Sequence, residues 1–283
     1  MCAPGPPGHG FAAPADGHRL RVTDELTFIG TATTLLRLGP FTVLTDPNFL
    51  HRGQRAYLGK GLWSRRLTEP AMSPDQLPDL DAVVLSHLHG DHFDRVARHE
   101  LSRAQPVLTT GKAARTLRRW GFEASGLDPW ESHVLRHESE TLRVTAVPAV
   151  HARGVMGRLL PPVIGTVLEL SRSGDVVRSV YLTGDTLTGA HVDEIAGRFP
   201  ELDLAVVHLG GTRVLLHTVT MDAGQGVDFL QRLRPPRAVP VHHDDYGVFR
   251  SPLSAFLAAA RAAGLADVVT PVSRGETMSF DRV

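Results

Sequence analysis

The chain has 283 residues and a single cysteine, Cys2. No intramolecular disulfide can form, and no cluster of thiolates can hold a metal. Charge of one sign is not in excess: 30 basic and 30 acidic residues give a formal net charge of +0. That balance removes any bulk electrostatic case for nucleic acid or an anionic membrane as partner. No apolar run approaches the length that spans a bilayer. The N-terminus has no charged start followed by an apolar segment, so no secretion signal is expected and a cytoplasmic location is the default. Nearly all the basic residues are arginine.

What remains is long enough to bury a substantial core. Residues 1–18 are dominated by Pro, Gly and Ala without apolar periodicity and read as a disordered tail, with His9 and His18 solvated. Residues 19–283 read as one domain. The runs 26–30, 34–38 and 41–45 are expected strands, the last ending in Thr45-Asp46-Pro47. Residues 51–78 form a long irregular connection in which Trp63 either walls a site or packs peripherally. Helices are expected over 93–104, 111–120, 190–199, 223–233 and 252–263, with a cap from Thr220 or Asp222 on the fourth. Strands are expected over 107–109, 142–147, 163–170, 176–182, 204–209 and 238–241, and near Val268 and Met278.

The strongest signal is Val83-Val84-Leu85-Ser86-His87-Leu88-His89-Gly90-Asp91-His92. Its apolar start suits a central strand. Extended backbone would send His87 and His89 to one face, and Gly90 would permit a turn that brings Asp91 and His92 to the same point. Four ligand-type side chains within six positions, abutting an apolar strand, read as a metal site rather than a solvated loop. Nitrogen and oxygen donors suit zinc, and also iron or manganese.

Other polar groups stand at the ends of expected strands. Asp46 there needs partners to offset desolvation, or else starts a turn. His151 either caps a turn or turns toward the metal site. Asp185 lies several residues early for a helix cap. His208 is a substrate contact, a proton donor or a hydrogen-bonded core histidine. After Val239-Pro240-Val241, a strand would send His242 and His243 to opposite faces, so only one can readily serve as a ligand. Arg153 opens a loop to Pro162 that either rims a pocket for an anionic or carbonyl-bearing substrate, together with Arg158, or is a surface hairpin.

His87-x-His89-x-Asp91-His92 resembles the signature of the metallo-β-lactamase fold superfamily of metal-dependent hydrolases, and the order of further matches, His151, Asp185 and His242, agrees with it. The resemblance implies an α/β fold, a four-layered αβ/βα sandwich with the metal site at one edge of the sheets. It implies one site formed by His87, His89 and His151, a second by Asp91, His92 and His242, and Asp185 bridging them. Asp46 would orient the metal-binding loop. Two cations are expected, zinc first with manganese or iron tolerated, and hydrolysis by a metal-bridging hydroxide whose pKa falls to about 7. Asp91 would also orient the water or pass its proton on, a catalytic role. Within the superfamily the chain looks most like the compact branch containing sugar-lactone hydrolases and the N-acylphosphatidylethanolamine-hydrolysing phospholipase D. The expected substrate is a small ester or lactone. A phosphodiester is the alternative, and a non-catalytic metal-binding sensor is a third reading. Oligomeric state is left open.

Overall fold

The computed structural model describes residues 23–280 except 155–156, 158–159 and 215–216. The expected disordered tail and Arg158 lie outside the described residues.

Two sheets form the framework. The first has seven strands in the order β17-β1-β2-β3-β6-β7-β8: Thr277–Ser279, Glu25–Gly30, Thr33–Leu38, Phe41–Thr45, Ala82–Val84, Val107–Thr109 and Ala124–Gly126. The second has six in the order β16-β13-β12-β11-β10-β9: Ala238–Val241, Leu204–His208, Asp175–Leu182, Ile164–Arg172, Glu140–Pro148 and Ser132–His137.

Strand periodicity assigns each face. Val84 and Leu108 point to a shared inner core with Val180, Leu182, Val206, Val239 and Val241 of the other sheet. Their neighbours Val83, Leu85 and Val107 point outward beneath the helices Arg95–Glu100 and Gly111–Arg119, meeting Ala97, Ala114 and Leu117. Across the molecule, Tyr181, Ala205, Val207 and Ala238 point out against Val192 and Ile195, Phe229 and Leu230, and Phe256 of the helices Ala190–Arg198, Ala223–Leu233 and Leu253–Ala262. Residues alternating between two apolar surfaces bury strands on both sides. The result is helix, sheet, sheet, helix: the four-layered sandwich expected from the sequence. Among the described residues no helix is long and apolar enough to cross a membrane.

Several elements differ from expectation. The first helix covers Arg95–Glu100 rather than 93–104, because the Asp94 side chain caps it by accepting from Ala97 N at 2.8 Å. Asp222 rather than Thr220 caps Ala223–Leu233, accepting from Gln225 N at 3.0 Å, while the Thr220 hydroxyl serves Thr212 N. The irregular 51–78 segment contains a hairpin, β4 and β5, Arg55–Tyr57 against Trp63–Arg65. The strands Ala124–Gly126 and Ser132–His137 were not expected; the latter is an edge strand with little burial, so its sequence lacks apolar alternation. Near Val268 there is only an isolated bridge, Ala238 to Val269.

Strand direction explains where the polar groups go. Within the first sheet β3, β6, β7 and β8 run parallel. In the second, β12, β13 and β16 run parallel, and β10 shares their direction because two antiparallel pairings separate it from β12. The residues that follow these strands therefore collect at sheet edges.

Candidate metal centre

Six strand ends supply the site. Asp46 follows β3, the His87–His92 segment follows β6, His151 follows β10, Asp185 follows β12, His208 ends β13 and His242 follows β16. The β6 strand stops at Val84, so His87 and His89 are brought together by a loop rather than by an extended strand: their ring centroids lie 4.5 Å apart, with His87 Nε2 2.8 Å from His89 Nδ1. The reason for Gly90 is also different. Its N–H donates to Tyr57 O at 2.9 Å, and a β-carbon there would lie 2.7 Å from that oxygen. Gly90 stands in a turn, as expected, but what excludes a side chain there is its close approach to the β4 backbone. Gly90→Ala is expected to destabilise the fold by about 1–3 kcal/mol through overpacking, read as a lowered midpoint in urea with an unchanged slope.

The chain then turns, with His92 N and Phe93 N both donating to His89 O. This places His92 among three partners: its ring centroid is 4.2 Å from that of His87 and 4.8 Å from that of His242, and its Nε2 is 3.3 Å from Asp185 Oδ2. His151 faces His87 at 5.0 Å and His89 at 5.5 Å between centroids. His242 Nε2 is 3.4 Å from Asp91 Oδ2, and its Nδ1 is 3.6 Å from Asp185 Oδ1.

Four overlapping clusters result, each with donor atoms within 4.8 Å of one another: His87, His89 and His151; His87, His92 and Asp185; Asp91, His92 and His242; and Asp46, His92 and His208. All seven side chains expected from the sequence meet at one place. Most of the cluster is buried, and only His89 is partly open.

Backbone carbonyls orient two of the rings. His151 Nδ1 donates to Val219 O at 2.8 Å, and His242 Nδ1 lies 3.2 Å from Leu209 O. A carbonyl can only accept, so the Nδ1 of His151 carries the proton and its Nε2 offers a lone pair. His242 itself sits at φ 61°, a left-handed conformation uncommon for a non-glycine residue and most frequent where function demands it.

Electrostatics divides the imidazoles into two sets. Burial pushes His87 well below the ordinary histidine value and His89 to about 4, and lowers His151, so these three are neutral donors. Burial also acts against charge on His92 and His242, but Asp185, Asp46 and Asp91 outweigh it at His92, and Asp185 and Asp91 at His242, raising both.

Asp46 connects the site to its frame. Its Oδ1 accepts from the Ser86 N–H at 2.8 Å and the Ser86 hydroxyl at 2.9 Å, while Oδ2 lies 3.4 Å from His92 Nδ1 and 3.3 Å from His208 Nε2. Burial raises its pKa, yet the charge on His92 and the hydrogen bonds from His208 and His92 bring it down to about 2. Its contacts are those of a group that holds the His87–His92 segment in place. Asp46→Asn is expected to lower metal affinity and turnover by about 10–100-fold with the fold retained, measured by metal titration beside far-UV circular dichroism.

The remaining candidates separate. His208 is a buried, hydrogen-bonded histidine: its N–H donates to Thr183 Oγ1 at 2.9 Å, and its ring lies between Thr183 and Asp46. His243 belongs to none of the clusters and lies near Phe28, 6.3 Å between centroids. Arg153 is exposed and donates through Nη2 to Thr188 O at 2.8 Å, tying its loop to the segment after Asp185. His217 is exposed on a two-residue strand. Trp63 is 56 % exposed, with its ring 4.9 Å from that of Tyr57. Both line a cavity of about 360 Å³ that also reaches His89 and Trp120.

Sequence reasoning missed a buried network beneath the site. Arg66, fully buried, donates through Nη1 to Asn48 O at 3.0 Å and bonds the Asn48 side chain, with Nη2 3.5 Å from Asp245 Oδ1. Asp245 Oδ2 accepts from Thr31 N at 2.6 Å, and Thr31 O accepts from His242 N at 2.6 Å. Asn48 Nδ2 donates to Gly90 O at 2.9 Å. The backbones of two cluster segments are thus tied to one arginine. Its only sequence signal is a long loop rich in Arg.

Two facing sheets that bring imidazoles and carboxylates to one edge are the architecture of a metallo-β-lactamase fold. Residues 42–243 match the family described as Beta-lactamase superfamily domain, and the chain belongs to that family. It is similar to a UPF0173 metal-dependent hydrolase of Thermoplasma acidophilum, 25% identical over 205 residues that cover 72% of this chain and 83% of the relative. A UPF0173 metal-dependent hydrolase of Archaeoglobus fulgidus is 24% identical over 261 residues, 91% of this chain and 100% of the relative. The crystal structure of an isothiocyanate hydrolase from Delia radicum gut bacteria has the same fold, with a TM-score of 0.76 at 21% identity, covering 91% of this chain and 100% of that one.

Proposed function

We propose that the protein is a metal-dependent hydrolase of small-molecule esters or lactones. His87, His89 and His151 hold one cation, Asp91, His92 and His242 a second, and Asp185 lies between them. The observation that carries this reading is a set of buried polar atoms that make no aligned hydrogen bond, although three of them stand 3.3–3.6 Å from an opposite group of the cluster: Asp91 Oδ1, His92 Nε2, Asp185 Oδ1 and His242 Nε2. A buried polar group left unpaired costs about 1–3 kcal/mol, and more when charged. Four at one spot, on side chains otherwise well oriented, fit cations as their common partner. The donors are nitrogen and oxygen only, which suits zinc, manganese or iron.

Bound there, such cations supply an activated water and polarise the substrate oxygen. The chain's own residues do the rest. Asp91, within the cluster, is placed to hold a proton from the attacking water and pass it to the leaving group. The Ser86, Asp46 and His208 contacts fix His92, and burial keeps bulk water from the inner carboxylates. Small-molecule chemistry is supported by two modest cavities, of about 230 and 360 Å³, that meet the cluster at His89.

The test is hydrolysis of a panel of lactones, aryl esters, thioesters, β-lactams and aryl phosphodiesters by protein of measured metal content, before and after chelation. Turnover of an ester or lactone that vanishes on chelation and returns with added metal is the expected result. Turnover indifferent to chelation contradicts metal dependence. A phosphodiester preference would replace the carbonyl substrate, and silence of the metal-loaded protein on every substrate would favour a sensor.

A further inference from the structure

The whole chain contains two lysines, Lys60 and Lys112, against an otherwise arginine complement of basic side chains. They stand far apart in sequence, yet both line the cavity of about 230 Å³ that opens at His89. Among the described residues no acidic residue and no arginine lines it; the remaining wall includes Leu58, Leu88 and the Leu160–Pro162 segment. The cavity adjoins the cluster directly. Gly59, next to Lys60, lies so close to His89 that a β-carbon would sit 3.4 Å from Nε2.

Both lysines occupy positions that local structure disfavours. Lys112 is in the first turn of the helix Gly111–Arg119, which carries no acidic residue there. A cation at that end opposes the helix dipole and the free N–H groups. Lys60 has φ 51°, a left-handed backbone that a side chain resists. Departures from local preference of this kind concentrate at functional sites. A lysine ammonium is also the compact, rotatable cation suited to an oxyanion approached from varied angles, whereas the arginine fork is fixed.

We infer that this cavity receives an anionic group of the substrate, a carboxylate or a phosphate, carried on a short apolar linker from the bond cleaved at the metal cluster. Lys60 and Lys112 face the anion from two sides, and Leu58, Leu88 and Leu160 cover the linker. The inference rests on the hydrolase reading for the cleaved bond but not for the binding of the anion.

Two measurements keep those apart. In the first, metal-loaded protein is titrated calorimetrically with hexanoate and, separately, with inorganic phosphate. Binding of at least one is expected, weakened by salt and about tenfold weaker in the Lys60→Gln/Lys112→Gln double variant, with Lys60→Arg/Lys112→Arg retaining most of it. The tighter of the two probes identifies the anion. Equal binding by wild type and the glutamine variant, or no binding of either probe, overturns the inference. In the second, the ratio of kcat/KM for a carboxylate-terminated aryl ester over its neutral counterpart is compared. The wild-type preference for the anionic ester is expected to fall about tenfold in the glutamine variant, through KM rather than kcat, and an unchanged ratio overturns the inference. Should the wild type hydrolyse neither ester, the ester reading fails and the calorimetry still decides the cavity.

Discussion

His87→Ala and Asp185→Ala are each expected to abolish hydrolysis while leaving the fold largely intact. The loss should exceed the 10–100-fold of a supporting residue such as Asp46, because each removes an atom at the centre of the cluster rather than one that orients it. His87 touches His89, His151 and His92, and Asp185 touches His92 and His242. The two substitutions should differ in metal content. His87→Ala takes a donor mainly from the three-histidine set, whereas Asp185→Ala removes the carboxylate shared between sets and should weaken both. Paired assays of turnover and bound metal on purified, circular-dichroism-checked variants measure this. Full activity in either variant removes that residue from the site.

Arg66→Ala is expected to cost roughly 3–5 kcal/mol of stability, the scale for removing one partner of a buried charge pair. Arg66 and the Asp245 side chain are both fully buried. Without the guanidinium, Asp245 keeps, among the described residues, Arg274 Nη2 at 3.1 Å as a cationic partner, with the Thr31 N–H and the Thr68 hydroxyl. The loss should appear as a lower thermal midpoint. Because Asn48 and Thr31 carry the same network to Gly90 O and His242 N, it should be accompanied by weaker metal retention.

The same pair sets an acid limit. Burial raises the Asp245 carboxyl, but Arg66 and Arg274 outweigh it and hold its pKa below the ordinary 3.8. Its contribution to stability is therefore complete above that ordinary value and is lost as pH falls through the depressed folded value. Denaturation of Asp245→Asn should depend less steeply on pH in that acid range than the wild type. Equal slopes would remove Asp245 from the acid response.

These expectations differ in how far the sequence alone discloses them. His151, Asp185 and His242 were matched to one site through the resemblance to the superfamily, and each lies within three residues of the end of a buried strand, where strands of one direction collect their ends at one edge. The facing positions of the layers were legible in the strands themselves, since Val83 and Val84 must point opposite ways. Arg66 and Asp245 carry no such signal. They are 179 positions apart, and one lies in an irregular loop whose course is set by tertiary contacts rather than by periodicity. Gly90 invited a conformational explanation, yet its reason is the Tyr57 backbone 2.9 Å away, which no local pattern reveals. The edge strand Ser132–His137 was hidden because its exposed face removes the apolar alternation that identifies a strand.

Side chains from four separate strand ends are expected to grip cations at one edge of the sandwich. Anomalous diffraction at the absorption edge of the metal found in the purified protein tests it most directly. Two peaks are expected, one among His87, His89 and His151 and one among Asp91, His92 and His242, with Asp185 between them. A metal-replete crystal with no anomalous density among these residues would contradict it.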